Sequence, residues 1–408
     1  MIEIKNHSYF NYFFIAIVLL WAPLQGTIIS FDSKGRILFA LTIIAFIVNY
    51  NKQVFKKMLF SKPIILWIIW VIYSAINMMS KGFHNEYLSP SFYIITKLFM
   101  PLVIMSVCAY EYNKNNYKLT KTLLYIFCIY SIIGFFFMTI NRSHTSDGAA
   151  TLGNLLALNN LFIIFYAGLL YKWGELSSVK FIGFVVFVFV VIIASATRKA
   201  LGAATILLLF VVLSNMRFTA KSFISVLLLA LTLYVGTNYI MKNTLMGERL
   251  SMTEEVGEKF NTSNNVFLNF LGDRALFYIV GTELFYEHPI SGIGLLNFTE
   301  ETGSDYRIHS EYMVQLAENG LIGSTLFILF YVSLISAIFK YRKHSIFAKT
   351  TGNILLGGVV AILFISFTAW TYEFCMYFTC LGTIIGATKT NNIPLTYVRP
   401  KLNSPTDR

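Results

Sequence analysis

Long apolar stretches separated by short polar connections recur along nearly the whole chain. Most are about 15 to 20 residues long, enough to cross the ~30 Å hydrocarbon layer of a bilayer as a helix. They are continuous and do not alternate apolar with polar residues, which disfavours a membrane β-barrel. The pattern predicts twelve membrane-spanning helices, of which the second, eighth and twelfth are short enough for tilting or breaks to be expected. The predicted spans are residues 12–29, 37–48, 63–79, 92–110, 122–140, 151–171, 181–197, 200–213, 223–240, 320–339, 352–370 and 374–387.

The composition agrees with this pattern and excludes a water-soluble fold. Of 408 residues, 56% are hydrophobic and 13% are charged, and the mean hydropathy is +0.64. Globular proteins carry about 25% charged residues. The cysteines lie in or at the ends of apolar stretches, so we expect small packing residues and not disulfides or zinc ligands. The first stretch lacks a small-residue cleavage site, which predicts a retained anchor.

Lysine and arginine are distributed unequally between the two sets of connections. Twenty fall on the side of the N-terminus and six in the short connections of the opposite side. The positive-inside rule therefore places both termini in the cytoplasm. Topology also accounts for the net charge of +12 without a nucleic-acid partner. The six outer residues are Lys34, Arg36, Lys81, Arg142, Arg198 and Lys199.

One predicted outer connection, residues 241–319, is far longer than the others. A structureless loop of this length is unusual, so we expect a folded functional element. The chain then divides into a membrane bundle of nine spans at 1–240, an extracytoplasmic loop at 241–319, and three last spans with a cytoplasmic tail at 320–408.

Two helices are predicted inside this loop. The first, residues 273–288, has one apolar face and is expected at the outer membrane surface or over the mouth of the bundle. Arg274 lies in its first turn, and Pro289 begins the turn that ends it. The second helix begins at Ser310 as N-cap, directly after His309, and closes near Gly320. The apolar face of the first helix comprises Leu276, Phe277, Val280, Leu284 and Phe285.

The same region carries a recognisable order of motifs. GDRALFYIVGTELFYEHPISGIGLLNF, followed after a short gap by HSEYMVQLAENGLIGSTLF, resembles the signature of the O-antigen ligase and O-antigen polymerase family of bacterial membrane glycosyltransferases. In that family an Arg opens a helix, a Pro-x-x-Gly-x-Gly turn follows, and a His precedes a polar helix. An outer-facing Arg between two earlier spans also belongs to the pattern, and SATRKALGA supplies Arg198. The resemblance covers residues 195–327 and implies an all-α, polytopic, GT-C-like membrane fold.

The resemblance implies roles for three residues. His309 would be the catalytic base, and Arg198 and Arg274 would bind the diphosphate of an undecaprenyl-diphosphate-linked oligosaccharide. Each has an ordinary alternative: a basic residue at a span end, a solvated helix start, or an exposed loop histidine. An arginine fork and free backbone N–H groups suit a phosphate, and a histidine can accept a proton from a sugar hydroxyl at neutral pH.

Three further cations are supporting candidates: Lys199, Arg307 and Lys97. Lys97 falls near the middle of a predicted span, where a charge costs about 2.5–3.5 kcal/mol. It should therefore face a wet cavity, bind lipid phosphate or acceptor, or pair with a buried acid. Glu373, between the last two spans, is expected to contact lipid head groups.

The resemblance implies a glycosyltransferase in the bacterial inner membrane with its active site on the periplasmic side, and within the family an O-antigen polymerase is favoured. It would transfer an undecaprenyl-diphosphate-linked oligosaccharide, with inversion, onto another lipid-linked repeat unit. No metal or other cofactor is expected, because Arg198 and Arg274 would neutralise the diphosphate. The absence of an outward Asp-x-Asp motif argues against a nucleotide-sugar enzyme that uses a metal. Expected partners are the lipid-linked substrates, membrane lipid and a chain-length regulator protein.

Two alternatives stay open at this point. An O-antigen ligase would transfer the finished polysaccharide to lipid A-core. A flippase for lipid-linked oligosaccharides would also have about twelve spans, but it would carry central cations on several helices and have short loops.

Overall fold

The computed structural model describes residues 2–24, 31–82, 89–141, 146–195, 197–214, 275–304 and 307–389. Every element in these ranges is helical, and no strand occurs among them. The all-α prediction is therefore confirmed for the described part of the chain.

The helices are numbered in chain order, and two π-helical segments are labelled π1 and π2. The first group is α1 Ile2–Leu24, α2 Phe31–Tyr50, α3 Gln53–Leu59, α4 Lys62–Lys81, α5 Pro90–Tyr93, π1 Ile94–Phe99, α6 Met100–Lys114, α7 Asn116–Asn141, α8 Ser146–Lys172, α9 Ser178–Ala194 and α10 Arg198–Leu213. The second group is α11 Ala275–Glu287, α12 Phe298–Thr302, α13 Glu311–Met313, π2 Val314–Glu318, α14 Asn319–Tyr341, α15 Ile346–Ser366 and α16 Cys375–Lys389.

Several of these helices are long and apolar enough to cross a membrane, which confirms the membrane class. In the described ranges five segments qualify: Lys62–Lys81, Ile94–Lys114, Asn116–Phe136, Glu311–Tyr341 and Ile346–Ser366. A sixth is added if the pair Ile37–Tyr50 and Gln53–Leu59, bent by 114°, forms one broken span. Shorter apolar helices are Ser8–Leu20, Leu156–Lys172, Ser178–Ala194 and Lys199–Leu213. The count of twelve stays a prediction, and its ninth span, residues 223–240, lies outside the described residues.

The structure differs from the prediction at one additional helix and at one helix boundary. The short helix α3 was not predicted; it buries Phe55 and Met58 and exposes Lys57, as an amphipathic helix at a membrane surface does. The predicted eleventh span ended at residue 370, but α15 ends at Ser366. Trp370 therefore lies in the connection between α15 and α16 and not inside a helix.

Helices α6 and α16 pack closely because small residues face the contact. A Cβ added to Gly382 would overlap the Met105 carbonyl group, and one at Gly386 would lie 2.8 Å from the Ala109 carbonyl oxygen. Such positions let membrane helices approach at backbone distance. From the first contact to the second, the residue number rises by four in each helix, so the two helices run parallel. The segments that precede them, which carry Lys97 and Glu373, are therefore brought to the same end of the bundle.

The connections fall into two groups at opposite ends of the bundle. At one end, the Asn297 side-chain amide donates to the Lys81 carbonyl oxygen (3.4 Å), and Lys199 Nζ donates to the Thr368 carbonyl oxygen (3.4 Å). At the other end, Lys114 Nζ donates to Ser8 Oγ (2.6 Å). This grouping agrees with the division of connections by charge; which end faces the cytoplasm stays a prediction.

Candidate functional site

The connection between α15 and α16, residues 367–374, is the point at which distant parts of the chain meet. We call it the 367–374 loop. Tyr278 of α11 donates a hydrogen bond to the Phe367 carbonyl oxygen (2.6 Å), and Lys199 of α10 donates to that of Thr368. Ser310, beside His309, donates to the Tyr278 hydroxyl (2.9 Å). The loop therefore contacts the predicted outer connection through Tyr278 and the start of α10 through Lys199.

A charged cluster of Lys97, Arg307 and Glu373 lies at this loop. Arg307 Nη1 is 2.9 Å from Glu373 Oε1, and Lys97 Nζ is 3.5 Å from Oε2 of the same carboxylate. Tyr93 donates its hydroxyl proton to Glu373 Oε1 (2.8 Å), and Arg307 Nη2 donates to the Tyr372 hydroxyl oxygen (3.0 Å). One carboxylate thus serves two cations, and the cluster of three charges keeps a net charge of one positive unit.

Burial and charge act in opposite directions on the ionisable groups of the cluster. The Glu373 side chain is 6% exposed. Burial by itself raises its pKa, but Arg307 and Lys97 outweigh burial and lower the pKa to about 2. Burial likewise lowers the pKa of Arg307, yet the Glu373 carboxylate holds it well above its ordinary value. Glu373 and Arg307 are therefore both charged at neutral pH.

These contacts correct two expectations drawn from the sequence. Glu373 is buried and paired and is not a head-group contact, because the parallel packing of α6 and α16 turns it toward Lys97. Lys97 is not near the middle of its span. The helical run begins at Pro90, so Lys97 lies about 10 Å from its start at 1.5 Å per residue. Its buried acidic partner is Glu373.

His309 lies against aromatic rings at the same loop. Its imidazole centroid is 4.8 Å from the Trp370 ring at 64° between planes, and 5.9 Å from that of Phe277. The Arg307 guanidinium carbon lies 4.9 Å from the Trp370 ring centroid. Trp370 is thus the shared neighbour of His309 and Arg307. His309 is half-buried and its Nδ1 atom is fully buried, so the rings restrict the orientation of the imidazole.

The segment after His309 is held to the loop by a second carboxylate. Glu311 Oε2 accepts hydrogen bonds from the backbone N–H groups of Thr371 and Tyr372, and Oε1 accepts from Gln315 Nε2 (2.7 Å). Gln315 Oε1 in turn accepts from Trp70 Nε1 of α4 (2.8 Å). Sequence reasoning missed this network. Its signal was available, because Glu311, Gln315, Glu318 and Asn319 are polar residues at i, i+4, i+7 and i+8 on one face of a helix that leads into the membrane.

The Pro-x-x-Gly-x-Gly turn is bonded to the break in the helix that follows His309. The π segment and the non-helical Gly320 (φ 62°) interrupt the usual ladder of backbone bonds. The turn satisfies the interrupted groups: Ile293 N–H donates to the Ala317 carbonyl oxygen, Gly294 N–H to that of Glu318, and Leu321 N–H to that of Pro289. The prediction that Gly320 closes the polar helix is confirmed, as is Ser310 as its N-cap.

The helix predicted at residues 273–288 is observed as α11, and it packs over the end of the bundle. Its buried face includes Tyr278 and Leu284, both 9% exposed. The predicted face was wrong at Leu276, which is 61% exposed, because the hydroxyl of Tyr278 turns its side of the helix toward Ser310 and Phe367. Asp273 and Arg274 lie outside the described residues.

The remaining predicted residues are brought together only in part. His309, Arg307, Lys97 and Lys199 all contact the 367–374 loop. Arg198 begins α10, one residue before Lys199, and its side chain is not described. Among the residues that the structure covers, no group of three His, Cys, Asp or Glu could hold a metal ion. The expectation of a metal-free reaction stays a prediction.

A comparison with protein-family models tests the resemblance that the sequence motifs indicate. Residues 182–328 match the O-antigen ligase family model. The match confirms the O-antigen ligase and polymerase family as the one that the motifs indicate. It contains Arg198, Lys199, Arg274, Arg307 and His309. Trp370 and Glu373 of the 367–374 loop lie outside it and contact His309 and Arg307, and Lys97, also outside it, pairs with Glu373. Comparison of the chain with curated proteins finds no significant match.

Proposed function

We propose that the protein is an O-antigen polymerase, a glycosyltransferase that elongates lipid-linked polysaccharide on the outer side of the cytoplasmic membrane. The observation that carries this proposal is the meeting of His309, Lys97, Lys199 and Arg307 at one loop, within and around the O-antigen ligase domain. A half-buried histidine that contacts the same loop as several cations suits a reaction that removes a proton from one substrate and stabilises an anion on the other.

The donor in this proposal is an oligosaccharide on undecaprenyl diphosphate. His309 takes the proton of an acceptor hydroxyl as its oxygen attacks the anomeric carbon of the donor. The bond from that carbon to the diphosphate oxygen breaks, the electron pair stays on the diphosphate, and the configuration inverts. Arg198, Arg274 and Lys199 would neutralise the charge that builds on the leaving diphosphate, which lowers the barrier more than it tightens ground-state binding.

Arg307 has a different part in this scheme. Its guanidinium is held by Glu373, Tyr372 and the Trp370 ring, so its hydrogen-bonding groups are directed to the protein. We assign it to orienting the 367–374 loop beside His309 and leave diphosphate binding to Arg198 and Arg274. Lys97 is more exposed, with 35% of its side chain accessible, and its contact with Glu373 is longer than that of Arg307.

The first experiment replaces the three central side chains. Arg198→Ala, Arg274→Ala and His309→Ala should each reduce polymer formation by about 100-fold or more, the loss usual for an oxyanion ligand or a general base. Arg274→Lys keeps the charge but loses the planar fork, so it should recover only part of the activity. His288→Ala is the matched control, because His288 is an exposed histidine at the end of α11. Full-length polymer from the three alanine variants at normal membrane levels would overturn the proposal.

A deletion strain separates the polymerase from the ligase. Loss of a polymerase leaves surface chains of a single repeat, whereas loss of a ligase leaves bare lipid A-core with polymer retained on the lipid carrier. The polymerase is preferred on a composition rich in Asn, Lys, Ile and Phe, as in polysaccharide gene clusters, and on the absence of a distinctive ligase feature. A chain-length regulator is the partner expected of a polymerase.

The flippase alternative is tested with purified protein. A glycosyltransferase converts lipid-linked repeats into longer glycans in detergent, where no membrane separates two compartments. A flippase changes only the location of its substrate and forms no new glycosidic bond.

A further inference from the structure

A groove opens on the side of the bundle at the end opposite the 367–374 loop, between α7 and α9. Its volume is about 540 Å³. Lys121 and Ile132 of α7 line one wall, Lys180 and Gly183 of α9 line the other, and Glu175 lies where α8 connects to α9. None of these residues belongs to the charged cluster or to the family match except Gly183.

The length of the groove corresponds to one leaflet of a bilayer. Ile132 follows Lys121 by eleven positions along α7, a rise of about 16 Å. Half of the ~30 Å hydrocarbon layer is about 15 Å. A chain that enters between the two lysines and follows α7 would therefore end near the middle of the membrane, as the acyl chain of a phospholipid does.

The walls of the groove face outward and leave room for a chain. Ile132 is 62% exposed and Tyr125 is 53% exposed, although both belong to an apolar helix. No heavy atom lies within 4 Å of the place where a Cβ of Gly183 would stand. The small residue keeps the α9 wall open about one helical turn beyond Lys180.

The mouth of the groove is positively charged. Lys121 and Lys180 face one acid, Glu175, which leaves one net positive charge. Lys121 Nζ lies 5.4 Å from the Tyr117 ring and 5.9 Å from that of Tyr125, so aromatic faces hold the ammonium group at this depth. A phosphate in a head group with net negative charge complements this mouth, and a zwitterionic head group does so less.

We propose that the groove binds a phospholipid with an anionic head group, taken from the leaflet next to the lysine-rich connections. The head-group phosphate lies between Lys121 and Lys180, and one acyl chain lies along α7 past Gly183. The site is separate from the glycosyltransferase centre, and this proposal does not depend on the proposed function.

Binding is measured on the full-length protein by native mass spectrometry from detergent, with phosphatidylglycerol and phosphatidylethanolamine of identical acyl chains. Wild type should retain more phosphatidylglycerol than phosphatidylethanolamine. Lys121→Gln and Lys180→Gln should each weaken that binding about fivefold, the ratio equivalent to ~1 kcal/mol per basic residue at an anionic membrane surface. Lys118→Gln is the control, because Lys118 lies on the same helix end but over the rings of Tyr9 and Tyr12.

A second pair of variants tests the acyl part of the site. Gly183→Leu fills the groove and should reduce retention of both lipids, while Val186→Leu adds bulk at an exposed position of α9 that does not line the groove. Equal retention of the two lipids by wild type would overturn the proposal. Lys121→Gln and Lys180→Gln variants that retain as much phosphatidylglycerol as Lys118→Gln would also overturn it. So would a Gly183→Leu variant that retains as much of both lipids as Val186→Leu.

Discussion

At the scale of single residues, the site depends on the charge balance around Glu373. A buried carboxylate is stable as an ion only when partners compensate its lost hydration. Here Arg307 supplies a short contact and Lys97 a longer one. Because Arg307 is also in contact with Trp370, the pairing at Glu373 sets the position of the ring against which His309 lies.

Replacing Glu373 with glutamine tests this balance. Glu373→Gln keeps the shape but leaves two cations without a counter-charge, so it should destabilise the protein by about 3 kcal/mol or more. Polymer formation should also fall, because Trp370 and His309 lose their fixed arrangement. Thermal unfolding in detergent and polymer length in cells are the measurements. Glu175→Gln, which removes an exposed carboxylate from the other end, should leave both unchanged.

The pairing of Glu373 also predicts how the stability of the folded protein changes with pH. The pKa of Glu373 is about 2 in the folded protein, and that of an unfolded glutamate is about 4.3. Its pairing therefore contributes stability that is full above about pH 4.3 and disappears as the pH falls toward 2. The stability difference between wild type and Glu373→Gln should stay constant from pH 5 to 8 and shrink below about pH 4. A difference that grows on acidification would contradict the pairing.

At the scale of elements, the turn after α11 and the broken helix after His309 form one unit. Gly292 and Gly320 lie where the turn and the broken helix approach each other most closely. A Cβ at Gly292 would stand 2.5 Å from the Glu318 carbonyl carbon, and one at Gly320 would stand 2.5 Å from Gly292 N. This contact explains why the two motifs occur together in the sequence. The turn fixes the π segment, and the π segment presents Glu311 and Gln315 to the 367–374 loop and to α4.

Alanine at Gly320 should therefore be far more damaging than alanine at an open glycine. Gly320 has φ 62° and ψ −162°, a conformation restricted to glycine, and it has no space for a Cβ. Gly320→Ala should cost several kcal/mol, on the order of 3 or more, and lower the amount of inserted protein. Gly303 also has a positive φ (63°), but nothing lies within 4 Å of its Cβ position, so Gly303→Ala should cost about 1 kcal/mol. Similar stabilities for the two variants, by thermal unfolding, would show that the junction is not tightly packed.

The sequence predicted those parts of the site that depend on residues close together in the chain. The N-cap at Ser310, the turn glycines and the end of the polar helix at Gly320 follow from short-range rules, and the structure confirms them. It did not find the roles of Glu373 and Trp370, because these come from a connection that hydropathy assigned in part to a span. The pairing of Lys97 with Glu373 depends on which helices pack in parallel, and periodicity within one helix does not contain that information.

At the scale of the whole molecule, two opposite ends of the bundle carry different chemistry. The end with the 367–374 loop gathers His309, buried charges and an interrupted helix. The other end carries exposed lysines, the surface helix α3 and the lipid groove proposed above. The charge rule assigns the first end to the outside, and the proposed reaction with a lipid-linked donor requires that orientation.

Cysteine labelling tests the orientation directly. Glu301→Cys places a thiol on the exposed helix α12 at the 367–374 end, and Lys343→Cys places one in the exposed connection between α14 and α15 at the other end. A membrane-impermeant maleimide should label the first variant in intact spheroplasts and the second only after lysis. Wild type is the background control, since its own cysteines are buried or half-buried in helices. The reverse pattern would put His309 in the cytoplasm, where nucleotide sugars are available. The proposed use of a lipid-linked donor on the outer side would then be wrong.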